Sequence, residues 1–288
     1  AGGGGAGAGI EVVQPHPAVV NESGIDHGQP TISGVDPLDA PRFLNQSLDL
    51  ISMTGFTESV TTARRIAGRT DGRPVRTVRT ERASNTREAI LSAAERLFAE
   101  HGVYAVSNRQ VSEAAGQGNN AAVGYHFGTK TDLVRAIEQK HRVPIERLLT
   151  RMVAEIGDST NLRDWIGCLV RSLTEHLDQL GNPTWYARFA AQALADPAYQ
   201  KIVVKDAMGS PALQQVVDGI TRCLPDLPMT VVTERNIMAR NLLMHTCADF
   251  ERAFAEGTAA PRTSWSSVAS GLIDAIVGLW TAPVTEYP

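Results

Sequence analysis

SNRQVSEAAGQGNNAAVGYHFGTKTDL, residues 107–133, decides the fold. Ser107 with Gln110 three residues on has the form of a capping box, in which each side chain satisfies a backbone N–H left open at a helix start. It predicts a helix of barely two turns over 109–115, stopped by Gly116. Thr129 with Asp132 repeats the device and opens a long helix from residue 130. The segment between carries almost no apolar bulk before Val123, yet Asn119 and Asn120 are good cap residues, and a second short helix over 119–127 is expected. Two short helices joined by a Gly-containing turn form a helix-turn-helix, whose second helix enters a DNA groove.

That placement explains the composition. Small residues (Ala121, Ala122, Gly124) permit close approach to DNA, while Asn119 and Asn120 can donate to phosphates or base edges. Val123 and Phe127, four apart, are expected to anchor the inward face to the helix over 86–101. Tyr125 and His126 offer donors to backbone phosphate, and Thr129 and Lys130 stand at the next helix start, where dipole and ammonium both favour an anion. Ser107, Asn108 and Arg109 open the first helix within reach of phosphate, although a plain exposed polar start is nearly as good an account of them.

Outward from this stretch the pattern is helical. Asn85 with Glu88 suggests a cap before the stripe Ile90, Leu91, Ala94, Leu97 and Phe98, which Gly102 ends. Beyond residue 130, Pro144 is expected to kink or break the helix, after which Ile145, Leu148, Leu149, Met152, Val153 and Ile156 keep one apolar face. Further helices are expected over 161–180, 183–195, 197–208, 210–223, 230–256 and 264–281, and no segment has strand character. The fold class is all-α, with a three-helix N-terminal head over 83–130, a linking helix 130–156, and a helical domain over 157–288.

Residues 1–82 differ: AGGGGAGAG is of low complexity, and the residues after it are rich in Pro, Gly, Asp and Ser, so a mostly disordered extension is expected. The net charge of −4 argues against a nucleic-acid partner until its distribution is seen: −6 over 1–60, +5 over 61–82, zero over 83–140 and −3 beyond. Positive charge is concentrated in an Arg-rich arm, 61–82. There Gly72-Arg73-Pro74 resembles the core of minor-groove hooks, and Arg73, Arg76 and Arg79 are candidates for that groove; a solvated linker is the competing account.

Residues 86–140 as a whole resemble the DNA-binding domain of the tetracycline-repressor (TetR) family. The resemblance rests on the stripe Ala94–Phe98, His101-Gly102, Ser107, Val111, Ala114-Ala115-Gly116, Tyr125, Phe127, Lys130 and Leu133. Gln117-Gly118-Asn119-Asn120 stands where the family pattern is one residue shorter, which shifts the start of the recognition helix by about a residue. The resemblance implies a homodimer that binds a double-stranded DNA operator and a C-terminal domain that binds a small effector. It also implies pairing of protomers through the last two helices, 230–256 and 264–281, with Trp280 suited to that interface. Trp165, His176, Trp185, Tyr186, Phe189 and His245 are candidates to line the effector pocket, and residues at such helical spacing are more commonly plain core.

Other classes find little support. No H-E-x-x-H, metal-spaced Cys/His cluster, phosphate loop or G-x-S-x-G is present, so neither catalysis nor a metal or cofactor is expected. Cys168, Cys223 and Cys247 are isolated, which fits a reducing, cytoplasmic setting, and no run is apolar enough to span a membrane or serve as a signal peptide. The alternative that remains open is an interaction protein that turns the same helix-turn-helix surface to a protein partner, which the neutral charge of 83–140 permits.

Overall fold

The structure, a computed structural model, describes residues 75–119 and 121–285, with side chains from residue 81 onward. Ten helices and no strand make up these residues: α1 Val75–His101, α2 Asn108–Ala114, α3 Ala122–Phe127, α4 Lys130–Ile156, α5 Leu162–Leu180, α6 Tyr186–Ala195, α7 Pro197–Met208, α8 Pro211–Cys223, α9 Met229–Glu256 and α10 Trp265–Thr281. The all-α expectation holds across this span.

α1 begins ten residues before the expected cap, so Asn85 stands exposed inside the helix. The apolar stripe behind it is used as anticipated: Ile90, Leu91, Ala94 and Phe98 are buried, and Gly102 (φ 83°) ends the helix with its N–H on the Phe98 carbonyl at 2.9 Å. They meet Val111 of α2, Val123 of α3 and Leu133, Val134 and Ile137 of α4, closing the head of the molecule. Each large apolar side chain so enclosed contributes roughly 1.5–3 kcal/mol.

Of the expected kink or break at Pro144, the break does not occur: α4 runs through it as one helix. Pro144 deletes one donor from the ladder, but buried residues flank it on both sides: Leu133, Val134, Ile137 and His141 before, Leu148, Leu149, Met152 and Val153 after. Packing along the whole length of the helix outweighs one lost hydrogen bond. α4 thereby joins head to body as one continuous helix.

In the body α5 is central, packing on α4, α8 and α10, while α6 lies between α1 and α9. Phe98 of α1 stacks on Phe189 of α6 with centroids 6.2 Å apart. α6 starts at Tyr186 rather than 183, and its N-cap Trp185 supplies no side-chain acceptor. Glu251 of α9 does so instead: its Oε1 accepts from Ala187 N–H and its Oε2 from Arg188 N–H and Nε–H, all at 3.0 Å. α8 crosses α5 closely enough that a Cβ on Gly219 would lie 2.2 Å from the Trp165 ring. Trp280, expected at an interface, is 3% exposed within its own protomer, and its own backbone carbonyl accepts from Arg235 Nη1 at 2.8 Å. The 264–281 pattern carried more apolar residues than one face needs, and Trp280 fell on the inward side.

Candidate nucleic-acid interface

Local chemistry builds the two short helices. Ser107 and Gln110 exchange backbone N–H groups in a complete capping box, at 3.2 and 2.8 Å, and open α2. Gly116 (φ 68°) turns the chain in the left-handed region that favours glycine, while Gln117 N–H donates back to the Ser112 carbonyl at 2.9 Å. Asn119 Oδ1 accepts from Ala121 N–H at 2.9 Å in an Asx turn, and α3 then starts at Ala122. The helix therefore begins about a turn later than the expected start at 119. Asn119 is exposed ahead of the helix, and Asn120 lies outside the described residues.

α3 sits on the head through Ala122 and Val123, both buried, and Phe127, whose ring lies 4.7 Å beneath the Arg87 guanidinium. Ala122 therefore faces inward and is not a surface of close approach, because a six-residue helix spends two adjacent positions on its anchor. What α3 and its flanks present outward is Gly118, Asn119, Ala121, Gly124 and Tyr125, which is 84% exposed. A Cβ on Gly118 or Gly124 would meet nothing within 4 Å, so this surface is open and flat. His126 is half-buried, edge-on to Tyr125 at 5.1 Å.

The remaining candidates have more varied surroundings. Arg109 is exposed and bonded to Glu113 at 2.8 Å. Asn108 has its Oδ1 buried without a partner among the described residues. Thr129 caps α4 with Asp132 in a complete capping box. Lys130 is turned inward: Nζ donates to the carbonyls of Val103 and Tyr104 at 3.1 and 3.4 Å, and partial burial lowers its pKa. It pins the 102–106 loop rather than standing free for phosphate, since two carbonyls within reach satisfy the ammonium. That loop carries Tyr104, 89% exposed, which sequence reasoning missed. Arg87 was missed too; its signal was the aromatic partner at 127. In the arm, Arg73 lies outside the described residues, while positions 76 and 79 fall on helical backbone, not on an extended arm.

The six effector candidates do not converge. His176, Tyr186 and Phe189 enter the core, where His141 stacks on Tyr186 at 3.9 Å. A buried chain runs Glu95 Oε2–His141 Nε2 at 3.0 Å and His141 Nδ1–His176 Nε2 at 2.9 Å, bridging α1, α4 and α5. Burial pushes the His176 pKa down to about 4. Beside it Glu138 has Oε1 buried without a partner among the described residues, while its Oε2 receives Tyr186 Oη–H at 3.4 Å; burial pushes its carboxyl up to about 7. Trp165 is packed against Gly219 on the far side, Trp185 is half-buried at the α6 start, and His245 is exposed on α9, along a cleft of about 390 Å³.

A capped α2, a glycine turn and a short α3 with a bare outer face, seated on a third helix, make a helix-turn-helix DNA-binding domain. Residues 90–137 match the family described as bacterial regulatory proteins, tetR family, so this segment is similar to that family's N-terminal domain. Over 60 residues it is 37% identical to the HTH-type transcriptional repressor AcnR of Corynebacterium glutamicum, a match covering 21% of this chain and 31% of that protein. The chain thus spans under a third of that relative's length. Among solved structures it resembles the TetR-family regulator PfmR of Thermus thermophilus (TM-score 0.42, 18% identity, 65% of this chain and 96% of the other). It also resembles a TetR-family regulator of Streptomyces coelicolor (TM-score 0.37, 20% identity, 69% and 96%). No described helix is long and apolar enough to cross a membrane.

Proposed function

We propose that the protein is a ligand-responsive transcriptional repressor that binds a palindromic operator as a homodimer. The observation that carries this is the outward face of α3 and its flanks, where Gly118, Ala121 and Gly124 leave room for a groove floor and Tyr125 stands beside it. Tyr125 and Asn119, with Thr129, Arg109 and Arg87 around them, are our candidates for contact with phosphates and base edges. Two such heads on one duplex require half-sites about 34–36 Å apart or a multiple of that. Pairing through α9 and α10 is supported by Met238, exposed on α9 at 52%. A small molecule held in the body acts by favouring a dimer whose heads no longer match the operator, and its leverage equals its differential affinity for the two arrangements. The undivided α4 and the Phe98–Phe189 contact give that change a stiff route to the head.

The test is titration of the protein against DNA flanking its own gene, with scrambled competitor, at two salt concentrations. Tight binding that scrambled DNA does not displace and that falls steeply with salt is expected, because each phosphate contact releases counterions. Salt-insensitive or absent binding overturns the reading in favour of a protein partner for the same surface.

A further inference from the structure

The cleft between the C-terminal end of α6, α7 and α9 is lined by Leu194, Ala195, Gln200, Ile237, Arg240, Asn241, Met244 and His245. Its composition is lopsided. Leu194, Ala195, Ile237 and Met244 give apolar walls, the amides of Gln200 and Asn241 are polar, and Arg240 brings a permanent cation with no acidic residue among the lining. Arg240 Nε is buried and has no hydrogen-bond partner among the described residues. Leaving a buried donor unpaired is costly, more so for a charged group, so the Arg240 guanidinium at this cleft wants an acceptor. A guanidinium offers Nε–H and Nη–H as a parallel fork that fits the two oxygens of a carboxylate.

We infer that this cleft binds a small organic monocarboxylate, its oxygens on the Arg240 fork and its apolar body against Leu194, Ile237 and Met244. The apolar walls disfavour a bare inorganic anion, and about 390 Å³ suits a ligand of modest size. Gln200, Asn241 and His245 remain at the cleft to recognise a further polar group. The inference rests on the effector reading proposed above and gives it a chemical class. It also gives it a lever, because α9 is one of the two helices proposed to pair the protomers.

The experiment is calorimetric titration of the full chain with benzoate and octanoate, set against benzamide, octanamide and inorganic phosphate. Wild type, Arg240→Gln and Arg240→Lys are compared, and DNA binding is recorded on the same samples. Saturable binding of at least one carboxylate, one per chain, is expected. The matching amide and Arg240→Gln should each weaken it about ten-fold or more, the scale of a hydrogen bond to a charged group. Arg240→Lys keeps the charge, loses the fork, and should fall between. Removing an unpaired donor leaves folding intact, which thermal melting checks; if Arg240→Gln melts early, the lysine variant carries the comparison. No saturable binding of either carboxylate, equal binding of amide or phosphate, or binding indifferent to both variants overturns the inference. DNA binding without carboxylate binding removes this site and leaves the regulator standing; Arg240-dependent carboxylate binding without DNA binding does the reverse.

Discussion

Tyr125 and Lys130 lie close together in the chain and were expected to do the same work, yet the structure gives them opposite surroundings. Tyr125 is almost fully exposed and its hydroxyl stands clear of the core, so Tyr125→Phe should leave the melting temperature unchanged. If the hydroxyl binds phosphate, affinity drops a few-fold and equally for operator and scrambled DNA in a filter-binding titration. A loss confined to one half-site sequence would instead mark it as a base contact. Lys130 holds two carbonyls of the 102–106 loop, and Lys130→Met, which keeps the apolar stem, should lower unfolding free energy by about 1–2 kcal/mol in urea. Unchanged stability would show that the ammonium is dispensable to the loop. Gly219→Ala tests the closest approach in the body: its Cβ falls 2.2 Å from the Trp165 ring, itself held by Nε1–H on the Ser159 carbonyl at 2.8 Å. A loss of roughly 1–3 kcal/mol is expected, and a neutral outcome would mean that α8 slides to accept the methyl.

At the scale of elements, what was legible in the sequence is what is local. The capping boxes of α2 and α4 were readable because donor and acceptor are three residues apart and nothing distant competes for them. The stripe of α1 was readable because a period of about 3.6 residues marks one face. Asn85–Glu88 has the same form as the true boxes and is none, since α1 was already under way ten residues earlier. The start of α3 was misplaced because Asn119 closes an Asx turn, a pattern that looks like a cap from sequence alone. Which way Ala122 and Lys130 point is set by neighbours outside their own helices, for Lys130 the 102–106 loop, and no spacing within α3 or α4 records those. The effector candidates failed as a group for a like reason: helical period tells that Tyr186 and Phe189 face inward, but not that Trp165 faces a different neighbour.

Across the whole molecule, the buried ionisable groups at the junction of head and body give stability a definite pH signature. Glu138 titrates at about 7 in the folded protein against 4.5 for its ordinary value, so between those pH values the folded state keeps a proton that the unfolded chain has lost. Stability from this group therefore falls as pH rises through that window. His176 works the other way: folded at about 4 against 6.5, it loses stability as pH drops from 6.5 towards 4. The two slopes oppose one another where they overlap. Glu138→Gln should unmask the histidine: its stability gain over wild type grows from pH 4.5 to 7 and levels off above, reaching up to ~3 kcal/mol at about pH 8. Urea titrations at about pH 5, 6, 7 and 8 read this directly, and a gain independent of pH would sink it. A consequence of another kind lies in Glu251. It closes the open end of α6 from a position 64 residues further along the chain, and α6 is the helix on which α1 stacks. During synthesis from the N-terminus, α2 and α4 therefore emerge with their own caps complete, while the support behind α1 waits for α9 to leave the ribosome. A message cut short before residue 229 would release a head that can form its turns but has no finished shoulder to rest on.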